Sequence, residues 1–280
     1  LMARNASHLD ELAAVLSEEN GTRVRTCAVD LTDDEAVAKA VGDLRLRSLD
    51  ILVHSAGVES SAPIASLTPA QWREVLDLDL VAVAHLMSLV LPALRATRGL
   101  VVMINSSAGL RTWAGHTLYS AAKAGLKALA DGLREEERGV VRVTSIFPGS
   151  VDTPMQHRVQ AARGGEYRAE DHMAPSSVVA AVRLAADTPL DAVVENLSIR
   201  PAEILAPALK GLGLSLVVGN EADLAALTAA RLRPGAPGEH RDFIYLSGED
   251  GIGAGIVREG RFVVGANGFA GEIGHVQGDP

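Results

Sequence analysis

Apolar positions along the first two hundred residues alternate between two rhythms. Short runs rich in β-branched residues, at 23–29, 50–53, 100–104, 140–147 and 192–199, have the length and content of strands. Between them, 7–19, 71–95 and 118–138 carry apolar residues at helical spacing, mixed with Ala, Lys and Glu. Thr32-Asp33 followed by Glu35 marks one helix start, and Thr68-Pro69, with Pro in the first turn, marks another. Strand and helix in alternation predict an α/β fold, a doubly wound parallel sheet of Rossmann type that binds ligands at the carboxyl ends of its strands. The opening Leu1-Met2-Ala3-Arg4 reads as the end of a strand running straight into the helix at 7–19.

Past Arg200-Pro201 the pattern changes. A helix is expected at 204–212, a strand at 214–218 and a helix at 221–231, then a loop with Pro234 and Pro237 and Gly-punctuated strands at 243–246, 254–257 and 262–264. Glycine follows the same division: 12 of the 27 lie in 1–202 and 15 in the much shorter 203–280. Two domains are therefore expected, 1–202 and 203–280, with a seam near 201–205.

Composition narrows the class. A chain of 280 residues, 48% hydrophobic and 22% charged, can bury a sizeable core. A net charge of −9 argues against nucleic acid or an anionic membrane as partner. Cys27 stands alone, which excludes an intrachain disulfide and a cysteine zinc cluster from this chain and suits a reducing cytoplasm. The apolar stretch 80–94, interrupted by His85 and Ser88, falls short of the ~20 residues of a bilayer span. Arg4, Asn5 and Asp10 interrupt the start where a signal peptide would be apolar.

Tyr119-Ser120-Ala121-Ala122-Lys123 puts a phenol and an ammonium at i and i+4 on one helix face. A phenol titrates near pH 10 and needs a neighbouring cation to exchange protons near neutrality. The spacing by itself is common on ordinary helices; its neighbours single it out. Ser106 follows the strand 100–104, His54-Ser55-Ala56-Gly57 follows 50–53, and Pro148-Gly149-Ser150-Val151-Asp152-Thr153 follows 140–147. All three segments therefore lie at strand carboxyl ends.

In this order the residues resemble the short-chain dehydrogenase/reductase family over about 1–202: Asp30 after the family's third strand, His54-Ser55-Ala56-Gly57 in place of Asn-Asn-Ala-Gly, Ser106, Tyr119 with Lys123, and Pro148-Gly149 with Thr153. The resemblance implies interconversion of an alcohol and a carbonyl. Tyr119 would be the acid/base and Ser106 would orient the carbonyl, while Lys123 would lower the pKa of the tyrosine and hold the nicotinamide ribose. It also implies that Ser55, Ala56, Gly57, Pro148, Gly149 and Thr153 line the cofactor, with Thr153 on the carboxamide and Asp30 on the adenine. Arg4 would favour NADP, with NAD as the alternative. Asp79, in Leu76-Asp77-Leu78-Asp79-Leu80, stands where the family has an Asn that relays protons, and would set a charge beside Lys123. Ser55 replaces a structural Asn. The family's first strand, its Gly-rich turn and the helix after it are not matched, and that turn normally receives the pyrophosphate; weak dinucleotide affinity is the expectation. His116 and Trp113 are candidates to line the substrate pocket, and Asp152 reads as a turn residue. Relatives of this kind assemble through the two long helices, so a homo-oligomer is the implied partner state.

The second part carries Gly251-Ile252-Gly253-Ala254-Gly255 and Gly265-Ala266-Asn267-Gly268-Phe269-Ala270-Gly271-Glu272-Ile273-Gly274-His275, with Val218-Gly219-Asn220-Glu221-Ala222-Asp223 upstream. A glycine cluster alone is also turn chemistry. Together these resemble the ROK family of sugar kinases and sugar-responsive repressors over about 204–280, an actin- or hexokinase-like α/β segment. The resemblance implies sugar binding by Asn220, Glu272 and His275. Glu221 sits in the position of the catalytic base, as in the regulators. The family's phosphate-binding segment and zinc-binding cysteines are not matched, so zinc is not expected from this chain. The expectation is an NADP-dependent oxidoreductase; the alternatives are a sugar-binding ROK module or a catalytically silent fusion of two truncated parts.

Overall fold

The computed structural model describes residues 1–162 and 167–201 and the strands Phe243–Gly248, Ile252–Arg258 and Arg261–Phe262. The expected elements at 204–212, 214–218 and 221–231 lie outside the described residues.

Helix boundaries follow local chemistry. The chain enters through β1 (Met2–Ala3) into α1 (Ala6–Asn20), where the Asn5 side chain accepts the His8 N–H at 3.1 Å and Gly21 ends the helix at φ 61°. After β2 (Cys27–Ala28), the Asp33 carboxylate accepts the Ala36 N–H at 3.0 Å and opens α2 (Asp34–Leu44). β3 (Ile51–His54) leads to α3 (Pro69–Leu76), which starts on a capping box: Thr68 accepts from the Gln71 N–H, and the Gln71 side chain accepts from the Thr68 N–H. A π-helical turn, Asp77–Val81, joins α3 to α4 (Ala82–Arg95). Next come β4 (Leu100–Ile104), α5 (Thr117–Glu136), β5 (Arg142–Pro148), α6 (Pro154–Ala162), α7 (Pro175–Asp187) and β6 (Asn196–Ile199).

The strands form a parallel pair β1-β2, a four-stranded sheet β3-β4-β5-β6 in which β3, β4 and β5 run parallel, and an antiparallel sheet of β7 (Phe243–Gly248), β8 (Ile252–Arg258) and β9 (Arg261–Phe262). The strand expected at 23–29 shrinks to two residues because its partner β1 has only two to pair with. That expected at 192–199 starts at Asn196, since the chain turns through Pro189 and Ala192 after α7.

One apolar cluster unites Val37 and Val41 of α2, Val83, Leu86, Met87, Val90 and Leu94 of α4, Val101 and Met103 of β4, Leu126 and Ala130 of α5 and Val143 of β5, with Met2, Cys27 and Leu52 packed on it. Each fully buried Leu, Val or Met contributes roughly 1.5–3 kcal/mol. The run Pro69–Arg95 is long and apolar enough to cross a bilayer, yet the α4 face just named is packed into this core. Cys27 is a half-buried free thiol beside it.

The chain divides into two compact units, one of Leu1–Pro148, Asp152–Tyr167 and Ala174–Leu197, the other of Gly149–Val151, Arg168–Met173 and Ser198–Pro280. Within the second, Val151 and Met173 form a parallel bridge, and the Gly149 N–H donates to the Ile199 carbonyl at 2.8 Å.

Candidate active site

β4 ends at Ile104 and delivers Asn105 and Ser106 to the carboxyl rim of the sheet. The Asn105 side chain is buried and links two elements: its amide donates to the Lys123 carbonyl at 3.1 Å, and its oxygen accepts the Ser106 N–H at 2.8 Å. Ser106 Oγ accepts the Ala108 N–H at 3.1 Å, capping the short turn Ser107–Gly109 and leaving the hydroxyl hydrogen to be donated. Gly109 is tied to the same junction, since a Cβ there would lie 2.6 Å from Asn105 Oδ1 and 2.8 Å from the Lys123 carbonyl oxygen.

Tyr119 and Lys123 lie one turn apart in α5. Tyr119 is half-buried, and the Lys123 ammonium stands 5.5 Å from the centre of its ring. Lys123 is 4% exposed and pairs with the fully buried Asp79 at 2.9 Å, the charge neighbourhood expected from the sequence. The other Asp79 oxygen accepts the Val58 N–H at 2.8 Å, so one carboxylate joins the π turn, α5 and the loop after β3. Gly57 is held against this pair; a Cβ would come within 3.0 Å of both Asp79 Oδ2 and Lys123 Nζ. Asp79 thus reaches the site because the π turn interrupts the regular helix that the sequence predicts over 71–95.

His54 closes the group. It is 3% exposed, and neither ring nitrogen has a hydrogen-bond partner among the described residues. Burial, reinforced by the Lys123 charge, pushes its pKa down to about 4. In the sequence His54 stands out only as part of the His54-Ser55-Ala56-Gly57 element and Asn105 not at all; a polar residue at each strand's carboxyl end is the signal that marks them.

The remaining expected residues are more dispersed. Ser55, Ala56 and Gly57 follow β3, Pro148 ends β5, and Thr153 accepts the Gln156 N–H at 3.3 Å at the start of α6. Arg4 and Asp30 are exposed just after β1 and β2. The Asp30 carboxylate accepts the Thr32 N–H and hydroxyl at 3.0 and 2.8 Å; these bonds, with the Arg4 charge, hold its pKa below the usual carboxylate value. Asp152, read as a turn residue, also accepts the Tyr167 hydroxyl at 2.6 Å, and His157 stacks on Tyr167 at 3.7 Å. Trp113 is exposed and meets His116 edge-on at 6.1 Å. Asn220, Glu221, Glu272 and His275 lie outside the described residues. No cluster of metal ligands occurs among the described residues.

Known proteins resemble the chain in two parts. The short chain dehydrogenase family model matches residues 1–164, and the ROK family model matches 192–280. An uncharacterized oxidoreductase of Staphylococcus saprophyticus is 31% identical over 205 residues, covering 72% of this chain and 85% of that protein. Serine 3-dehydrogenase of Agrobacterium fabrum is 33% identical over 174 residues, 61% of this chain and 67% of its own. Among solved structures, an alcohol dehydrogenase of the archaeon Thermococcus sibiricus, complexed with 5-hydroxy-NADP, superposes with a TM-score of 0.66 at 25% identity, covering 72% of this chain and 85% of that one. With a Rossmann-like sheet, matching relatives and a family model spanning more than half its length, the chain belongs to the short chain dehydrogenase family and carries a ROK-family match at its C-terminal end.

Proposed function

We propose that the chain interconverts a carbonyl and an alcohol with NADP, through Ser106, Tyr119 and Lys123. The observation that carries this reading is the buried Lys123 ammonium one turn along α5 from the Tyr119 phenol, with Asn105 tying that turn to the strand end that presents Ser106. The residues fit a nicotinamide cofactor: Gly57 lets the backbone approach Lys123, which would hold the ribose, and Thr153 would contact the carboxamide. Ser55, Ala56 and Pro148 would line the same cofactor. When bound, the cofactor supplies or accepts the hydride. Tyr119 exchanges the proton with the substrate oxygen, Ser106 donates to that oxygen, and Lys123 keeps positive charge beside the exchange. Arg4 near Asp30 favours the 2′-phosphate of NADP over NAD.

Tyr119→Phe separates binding from chemistry. It should abolish NADPH consumption with carbonyl substrates yet leave NADPH able to raise the melting temperature, the shift growing as ligand exceeds its dissociation constant. Unchanged turnover in Tyr119→Phe would refute the assignment.

The match of 192–280 to the ROK model favours a second reading, sugar binding through Asn220, Glu221, Glu272 and His275. A hexose or aminosugar panel in the same melting experiment tests it; a chain that answers neither nucleotide nor sugar is catalytically silent.

A further inference from the structure

The end of β3 holds a group that the proposed chemistry does not use. His54 shares a strand face with Leu52, which packs on the main apolar cluster together with Leu126 of α5. In that position the imidazole is buried and feels the Lys123 ammonium, and both of its nitrogens lack partners among the described residues. Its own backbone favours the proton, against the larger opposing effects of burial and of the Lys123 charge.

A buried polar atom left without a partner costs about 1–3 kcal/mol. Buried sites of this kind are usually completed by an ordered water. A donor lies beside the same loop: a Cβ at Gly57, three residues after His54, would come within 3.0 Å of Lys123 Nζ, whose ammonium has three N–H groups and meets Asp79 on one side at 2.9 Å. We propose that His54 is a positioning residue for Lys123: through one bound water its acceptor nitrogen takes a hydrogen bond from the ammonium, fixing where the remaining N–H groups point. Asp79 and His54 then hold Lys123 between a carboxylate and a neutral ring, so the lysine meets Tyr119 and the ribose in one orientation. The kinetic consequence rests on the Ser106, Tyr119 and Lys123 reading; the hydrogen bond does not.

The test uses the full 280-residue chain. Nitrogen-15 NMR of the histidine rings, with His54 assigned by its loss in His54→Asn, should show a neutral ring from pH 5 to 8. Its unprotonated nitrogen should show the chemical shift of a hydrogen-bonded acceptor, and the carbon-bound ring protons beside it should show cross-relaxation with water. A ring that titrates within that range, or shows no water cross-peak, overturns the proposal. In parallel, His54→Leu should lower kcat for NADPH-dependent reduction by about ten-fold or more while substrate KM stays within about two-fold, because loss of orientation acts on the reacting geometry. His54→Asn, which keeps a hydrogen-bonding group, should recover part of that loss. A purely structural His54 would move melting temperature and KM instead, and kcat within two-fold of wild type in His54→Leu overturns the positioning role. If the wild-type chain turns over no carbonyl, the Ser106, Tyr119 and Lys123 reading fails on its own and the NMR result decides for His54.

Discussion

Lys123 and Asp79 balance each other away from water, and neither can be removed without leaving the other exposed to that cost. Asp79→Ala should destabilise the fold by about 3–5 kcal/mol, the usual consequence of a buried charge losing its partner. The double variant Asp79→Leu with Lys123→Met should recover much of that stability while losing function. Urea denaturation measures both, and an Asp79→Ala loss under about 1 kcal/mol would mean the pair is solvated. His54 makes a separate pH prediction. Its folded pKa of about 4 lies below the ordinary value of 6.5, so the unfolded chain binds the proton first as pH falls. Stability contributed by His54 is full above about pH 6.5 and is lost progressively down to about pH 4, by roughly 3 kcal/mol in all. Glu137, held low by its hydrogen bond from Arg95, loses its contribution only below the ordinary carboxylate value of 4.5, so its titration does not overlap the window above that. Denaturation midpoints between pH 7 and 4.5 should therefore fall in the wild type and stay flatter in His54→Asn. Tyr119 and Lys123 could be read from sequence because i and i+4 meet on any helix; Asn105 and His54 show there only as polar residues at strand ends, because the Lys123 carbonyl that Asn105 meets is eighteen residues away and the burial of His54 is set by tertiary packing.

At the scale of elements, helix starts were legible wherever a cap carries them. Asp33 and Thr68 each hold the first free N–H groups with their own side chains, a local effect that needs no tertiary information. The π turn was not legible, because the strictly alternating Leu76-Asp77-Leu78-Asp79-Leu80 specifies neither a regular nor a widened turn, and the groups that Asp79 meets, Lys123 and the Val58 N–H, are far from it in sequence. Strand lengths also depend on the partner, which is why residues 23–29 supply only Cys27 and Ala28 to a ladder. The junction of β4 and α5 is tight enough to test by one methyl group. Gly109→Ala would drive its Cβ into Asn105 Oδ1 and the Lys123 carbonyl, so either the turn or the helix must shift. The expected cost is about 1–3 kcal/mol, with a fall in turnover larger than that of an exposed Gly132→Ala control, whose added Cβ meets nothing within 4 Å. Equal effects of the two substitutions would show that the junction yields freely.

Across the whole molecule, the alternation of strands and helices and the Gly-rich motifs correspond to matches to two separate families, over residues 1–164 and 192–280, so each carried real family information. What they could not carry is which face of a long apolar run is covered. Pro69–Arg95 is apolar and long enough to cross a bilayer, and the face that its α4 part turns inward is covered by the main cluster. An apolar helix face uncovered by unfolding is a surface for lipid or for another chain. Loss of the core would therefore turn a helix that supports the site into an adhesive one, so lipid vesicles should retain the unfolded chain and leave the folded one in solution.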